Sequence, residues 1–273
     1  MAGQARQTGP GSSVGSTLLL FYVTNVYMVK NRNNLKILFL QAREDEMKEH
    51  EFLCFDRLID IPQENFLRVD VFRDELDSSL LNDIDAVVLA GTGHYFSGDR
   101  QTYKLPELIS LVKEIYNQKI PMLAIGYGHE VIALAFGGEV VQDPTLREIG
   151  TIQMHCTEEG KDDPIFRYLP EKFYVQIGHS HSVVEAPPGT TDIITNHKEN
   201  CCEVFVFEDR PIYAIQFHPE LELKDVVVRM SFYKKKYFEQ TEELDQVINE
   251  SKETPEANRI LNLFIDKVVR VEK

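Results

Sequence analysis

From Leu35 onward the apolar residues alternate between short unbroken runs and helical spacing. Lys36-Ile-Leu-Phe-Leu40 is a run of the kind that a strand buried on both faces requires. Glu44 to Asp60 follows as a helix, with acids in the first turn facing the helix dipole, Phe52, Phe55 and Ile59 on one face, and Pro62 beyond its end. Phe66 to Phe72 alternates as a strand does, and Ile84 to Ala90 is a buried run ending in Gly91-Thr92-Gly93. Pro106 suits a first helical turn, with Leu108, Leu111, Val112 and Ile115 repeating at helical spacing behind it. Ile120 to Ile125 ends in Gly126-Tyr127-Gly128, and His129 to Phe136 is helical in pattern until Gly137-Gly138 stops it. This order predicts an α/β chain of βα units around a mostly parallel sheet.

The second half reads as more β-like, with strands expected at Thr151 to His155, Phe173 to Val184, Ile193 to Asn196, Val204 to Phe207 and Ile212 to Phe217. Helical character returns from Leu223 to Phe238. Residues 239–256 hold seven acids and one Lys, which predicts a solvated linker or an exposed helix inserted before the last element. Thr254-Pro255 opens a final amphipathic helix over 256–269, with Ile260, Leu261, Phe264 and Val268 facing inward. There is no internal repeat.

Residues 1–34 differ from everything after them. The first acid is Glu44, and the 43 residues before it carry five cations. Residues 1–16 are rich in Gly, Ser and Gln, the composition of a disordered segment. Thr17 to Val29 is apolar but interrupted by Asn25, and thirteen residues are too few for a bilayer-spanning helix. A presequence for an organelle, a weak anchor, and an extension upstream of a start at Met28 all fit this stretch. Residues 35–273 are expected to form the folded domain.

Charge and cysteine usage narrow the function. With 29 Lys and Arg against 44 Asp and Glu, the net charge is −15, which disfavours a phosphate-backbone binder, so no nucleic-acid partner is expected. The 273-residue length buries a sizeable core without staples. Cys54, Cys156, Cys201 and Cys202 have no CxxC spacing, which fits a reducing compartment: the cytoplasm, or an organelle if residues 1–34 are a presequence. No firm membrane association is expected.

Two expected strands end in glycine-bounded turns, and in open α/β sheets ligands bind beyond the carboxyl ends of the strands. Those turns are the leading candidates for a site. Gly91-Thr92-Gly93 lacks the Lys-Ser/Thr of a phosphate loop, which argues against a nucleotide. His179 and His181, with His155 or His218 as a third ligand, offer a metal reading, but hydrogen-bonded histidines account for them as well. No metal and no cofactor is assigned.

Ala124-Ile-Gly126-Tyr-Gly128-His129-Glu130 resembles the nucleophile elbow of class I glutamine amidotransferases, usually G-I-C-x-G-H-Q. Ile215-Gln-Phe-His218-Pro-Glu220 is similar to that family's Q-F-H-P-E, which supplies the His and Glu of its Cys-His-Glu triad. Upstream of both, Leu89-Ala-Gly-Thr-Gly93 matches the oxyanion loop, and between them Glu148-Ile-Gly150, Asp163-Pro-Ile-Phe166 and Leu169-Pro170 agree in order. His179-Ser-His181-Ser-Val183 stands where the family has H-x-D-x-V. The likeness runs from Leu35 to Glu220 and is nearest to the glutaminase domain of the GMP-synthase type. It implies a flavodoxin-like three-layer sandwich with a central, mostly parallel sheet.

By that resemblance His218 is the base, Glu220 its orienter, and the backbone near Gly93 and Tyr127 the oxyanion pocket, with Glu130, His179 and His181 beside the substrate. Gly126 stands at the nucleophile position, where no thiol can form a γ-glutamyl thioester. Glycine there is also expected to relax the turn. Glu130 replaces the usual Gln and is expected to present a negative charge, and His181 replaces the usual Asp. A lone engineered change at 126 would leave those two departures unexplained.

The expected function is a degenerate amidotransferase-like protein that binds a small molecule or regulates a partner chain such as a synthetase. The alternative is an active amidotransferase or γ-glutamyl-type hydrolase that uses water activated by His218, or another nucleophile.

Overall fold

The buried runs become strands and the periodic stretches become helices in the computed structural model, which describes residues 30–93, 104–196, 201–238 and 240–271. Thr17 to Val29, with the rest of residues 1–29, lies outside the described residues. The strands are β1 (Ile37–Gln41), β2 (Phe66–Asp70), β3 (Ala86–Leu89), β4 (Met122–Ile125), β5 (Glu139–Val141), β6 (Glu148–Cys156), β7 (Lys172–His179), β8 (Ser182–Glu185), β9 (Thr190–Thr195), β10 (Val204–Phe207) and β11 (Ile212–Ile215). The helices are α1 (Met47–Leu58), α2 (Leu105–Gln118), α3 (Tyr127–Ala135), α4 (Glu158–Asp162), α5 (Leu223–Phe232), α6 (Lys234–Tyr237), α7 (Thr241–Glu250) and α8 (Pro255–Phe264).

Among the described residues, nine strands form one sheet in the order β2-β1-β3-β4-β11-β10-β9-β6-β7. Its core, β2-β1-β3-β4-β11, is parallel throughout. The remaining strands pair antiparallel and extend that core into a large α/β sheet. Alternate residues of β1 point to opposite faces, as the pleat demands. Ile37 and Phe39 pack with α1 and α8, whereas Leu38 and Leu40 pack with α2 and α3, which gives three layers. Phe39 is ringed by Phe52, Phe55 and Phe66 at centroid distances of 5.5, 4.9 and 6.2 Å, all edge to face. Arrangements of this kind add about 0.5–1.5 kcal/mol per pair beyond area burial.

Several elements depart from the sequence reading. The run Phe173 to Val184 is two strands, since β7 ends at His179 and β8 pairs with β5 in a separate two-stranded sheet. Apolar periodicity does not register which sheet a strand joins. The helix expected from Leu223 to Phe238 breaks at Tyr233. The acidic stretch contains α7, and it is not wholly exposed: Leu244 is buried against Leu221, Val226 and Met230. The last helix ends at Phe264 and loosens into a π-helical turn over Ile265–Val269.

Residues just before Leu35 are fastened to that last helix. Arg32 donates to Asn262 Oδ1 at 2.6 Å and to Asp266 Oδ2 at 2.8 Å. No helix among the described residues is long and apolar enough to cross a membrane.

Candidate functional site

β3, β4 and β11 are adjacent and parallel, so their carboxyl ends deliver three loops to one point of the sheet edge. Gly91 follows β3, Gly126 follows β4 and His218 follows β11. Gly126 N donates to Ile215 O at 2.8 Å, which fixes the turn against β11. At φ +56° and ψ −107° Gly126 stands just before the first residue of α3. The sharp strand-to-helix turn is therefore present at a residue that has no side chain. Glycine occupies this region without the steric cost that other residues bear. Two residues on, Gly128 is required by packing: a Cβ there would lie 2.5 Å from Leu89 O, so α3 could not rest on β3.

A Cβ at position 126 would lie 3.4 Å from His218 Cε1 and 3.7 Å from His218 Nε2. The histidine thus faces the turn. Its Nδ1 donates to Glu220 Oε1 at 2.9 Å, which leaves Nε2 toward Gly126. Arg229 NH1, from α5, donates to the same Glu220 oxygen at 2.9 Å. Glu220 is fully buried. Burial pushes its carboxyl up, but His218 and Arg229 outweigh that and hold it down to about 2. Asn258 of α8 clamps the His-Pro-Glu turn by donating to Pro219 O at 2.7 Å and Leu221 O at 3.0 Å.

Apart from Gly93, the other expected residues converge on the same cleft. Tyr127, Glu130, His179 and His181 line it with Gly126 and His218. Tyr127 opens α3, so its N–H has no intrahelical acceptor. His179 Nδ1 lies 2.8 Å from His181 O, and its Nε2 lies 3.4 Å from Glu148 Oε2. Of the two loop glycines, Gly91 is the one beside the turn, its Cα 3.8 Å from a Cβ at 126. Gly93 packs on Tyr233, and its carbonyl accepts from Lys236 Nζ at 2.7 Å.

Glu130 differs electrically from expectation. It is buried, and burial pushes its carboxyl well above the ordinary range against the opposing pull of Lys236. Burial thus favours the protonated form, a donor and acceptor much as a carboxamide is. Among the described residues its Oε2 has no hydrogen-bond partner. Sequence reasoning missed Arg229, Lys236 and the buried Arg43–Glu51 pair, which is 3.1 Å apart below Gly91. Lys236 did carry a signal, as part of the run Lys234-Lys235-Lys236. The histidines considered for a metal do not gather: among the described residues the ligand atoms that cluster belong to His50, Cys54 and Asp225.

Comparison with known proteins agrees with this geometry. The chain is 31% identical over 146 residues to the GMP synthase (glutamine-hydrolyzing) of Borreliella burgdorferi, covering 52% of this chain and 28% of that protein. It therefore spans little more than a quarter of that relative. It is 32% identical over 142 residues to a subunit of the GMP synthase (glutamine-hydrolyzing) of Pyrococcus abyssi, covering 52% of this chain and 71% of that relative. A solved glutamine amidotransferase structure from Thermotoga maritima shares the fold with a TM-score of 0.65 at 20% identity, over 86% of this chain and 96% of that one. The family pattern described as glutamine amidotransferase class-I matches residues 61–234, a span that contains the Gly126 turn, the His218–Glu220 pair and Arg229 behind them. With fold, motif order and matched span in agreement, the chain belongs to the class I glutamine amidotransferase family.

Proposed function

We propose that this chain is an amidotransferase-like binding or regulatory component that does not release ammonia from glutamine through a thioester. The observation that carries the reading is Gly126, where the backbone of a nucleophile turn faces the imidazole of His218 with no side chain between them. Thioester formation needs a sulfur nucleophile at that point.

Neighbouring groups do not substitute for it. Tyr127 is buried, and burial raises its hydroxyl above the usual range. His129 is buried in the core against Phe205, and burial lowers it to about 3. The Cys54 thiol is pushed up to about 12, chiefly by burial, and so is that of Cys202. What the cleft offers is recognition: a buried Glu130 whose carboxyl is pushed toward its protonated form, the Lys236 ammonium, and His179 and His181, a set suited to a small polar molecule.

The Pyrococcus abyssi relative is one subunit of its synthase, which supports a partner chain of the synthetase kind here. Four cysteines without CxxC spacing, none in a disulfide, support a reducing location, the cytoplasm or an organelle.

Ammonia release by purified chain supplied with glutamine tests the proposal, and the expected rate equals that of a protein-free blank. A second reading, hydrolysis by water activated at His218, draws on the ordered His218–Glu220 pair whose Nε2 is directed at the cleft. Turnover that survives repurification and vanishes in His218→Ala would establish that reading instead.

A further inference from the structure

Behind the cleft, α1 and α5 bring together three side chains that the amidotransferase reading does not use. His50 and Cys54 are four residues apart on α1, the separation that puts two side chains on one helical face. Asp225 comes from the first turn of α5. Cys54 Sγ lies 3.7 Å from His50 Nδ1 and 3.9 Å from His50 Nε2, and His50 Nε2 lies 3.5 Å from Asp225 Oδ1. One ligand atom from each residue falls within 4.8 Å of the other two.

These separations suit a tetrahedral ion. With metal–sulfur bonds of about 2.3 Å and metal–nitrogen and metal–oxygen bonds of about 2.0–2.1 Å, tetrahedral angles put S and N about 3.6 Å apart and N and O about 3.3 Å apart. At His50 Nε2 the S–N and N–O spacings are wider by a few tenths of an ångström, the Cys54 sulfur and the Asp225 oxygen lie within 4.8 Å of each other, and a small turn of the side chains closes the set on one ion. We propose that His50, Cys54 and Asp225 form a binding site for a borderline-soft divalent metal of the Zn²⁺ class.

The surroundings favour the site in three ways. Asp225 Oδ2 is held by Arg57 and by the Glu222 N–H at 3.0 Å, which orients Oδ1 toward His50 and supplies outer support for a ligating carboxylate. The His50 side chain is 20% exposed, so an ion has an entry path, while Cys54 closes the inner side. The sulfur, imidazole and carboxylate set is softer than any Mg²⁺ or Ca²⁺ site. Arg57, which also reaches the Cys54 sulfur, and Arg229 are the nearby cations, and Asp225, Glu222 and Glu220 oppose them. On binding, the Cys54 S–H bond breaks, the sulfur–metal bond forms and the proton leaves to solvent, with no change of oxidation state. The ion would bridge α1 to α5, and α5 carries the Arg229 that holds Glu220.

Co²⁺ titration of the reduced, metal-stripped full chain tests the proposal. One equivalent is expected to bind, with a near-ultraviolet cobalt–thiolate absorption and the strong visible bands of low-coordinate Co²⁺. Zn²⁺ should displace it. His50→Ala and Cys54→Ser should each weaken binding by about a hundredfold or more, beyond the roughly 10–100-fold typical of outer partners. A variant with Cys156, Cys201 and Cys202 all changed to Ser should bind as the parent does. His50 is partly exposed whereas Cys54 is fully buried, so His50→Ala is informative even if the Cys54→Ser variant fails to fold. Absence of the thiolate band in the parent, its persistence in His50→Ala, or its loss in the triple variant would each overturn the site.

Discussion

The two walls of the cleft are built on different terms. On the base wall every group is tied to another: His218 to Glu220, Glu220 to Arg229, and the turn between them to Asn258 of α8. On the nucleophile wall the backbone keeps its sharp turn, but Gly126 offers no side-chain atom to the cleft, and Glu130 faces it as a buried acid with an unpartnered oxygen among the described residues. The contrast gives a reason for a His–Glu pair to be retained whether or not it takes part in a reaction. A buried ion-pair network is costly to dismantle one residue at a time, because each single loss leaves an uncompensated charge. An unburdened glycine imposes no such penalty. The base wall is therefore held by stability as well as by any reaction, whereas the nucleophile wall is free to change.

Breaking the base wall should have the largest effect. Arg229→Met leaves Glu220 buried beside a single partner, and unfolding by denaturant should show a loss of about 3–5 kcal/mol, the usual cost of removing one member of a buried ion pair. The pH dependence carries a definite sign. Glu220 is held below its ordinary 4.5, at about 2, so its contribution is fully present above pH 4.5 and is lost as pH falls toward 2. With Arg229 removed, acid unfolding should begin at higher pH. A variant as stable as the parent would mean that the wall is not held by this network.

Substitution on the nucleophile wall should cost less. Gly126→Cys places a Cβ at φ +56°, which is expected to destabilise the fold by about 1–3 kcal/mol. Its contacts are tolerable, since the nearest atom is His218 Cε1 at 3.4 Å. Gly126→Ala should cost the same, as both bear the strain of one Cβ. Gly126→Cys alone should gain a trace of glutaminase activity, because the thiol would meet Nε2 of an already oriented histidine. Thermal melts of the pair, with ammonia release for the cysteine variant, separate strain from chemistry. If neither melt falls, the turn is not strained for side chains.

How much of this was readable from the chain depends on the range over which each feature is determined. Buried runs such as Lys36 to Leu40 and Ile120 to Ile125 announce strands because their apolar neighbours are local in sequence. Gly126, His218 and Glu220 were singled out by the family resemblance, and their loops meet because they follow the adjacent parallel strands β4 and β11. Arg229 was not, since nothing around it marks a helix residue as the partner of a carboxylate nine positions earlier. The split of the 173–184 run into β7 and β8 was hidden for a related reason: Ser180-His181 is a corner between two sheets, and neither residue is a turn former of the strong kind. The charge of Glu130 could not be read either. Sequence names the titrating group, but burial decides its state.

That last point gives the smallest and most discriminating test of the comparison. If Glu130 is an uncharged acid in the folded chain, it binds a proton that the unfolded chain gives up above the ordinary carboxylate value of 4.5. Stability must then decline as pH rises from 4.5 toward the raised value, because over that interval the folded state holds more protons than the unfolded one. Glu130→Gln keeps the shape and removes the proton, so its thermal stability should equal the parent's in mild acid and exceed it by a few degrees at about pH 9, flattening the pH profile. Lys236 opposes the shift by favouring the carboxylate, so Lys236→Met should steepen the parent's decline. Parallel melting profiles for parent and Glu130→Gln would mean that the carboxyl titrates as an exposed one does. The cleft would then present a negative charge to any ligand, and the nucleophile wall would be one that repels an anionic molecule.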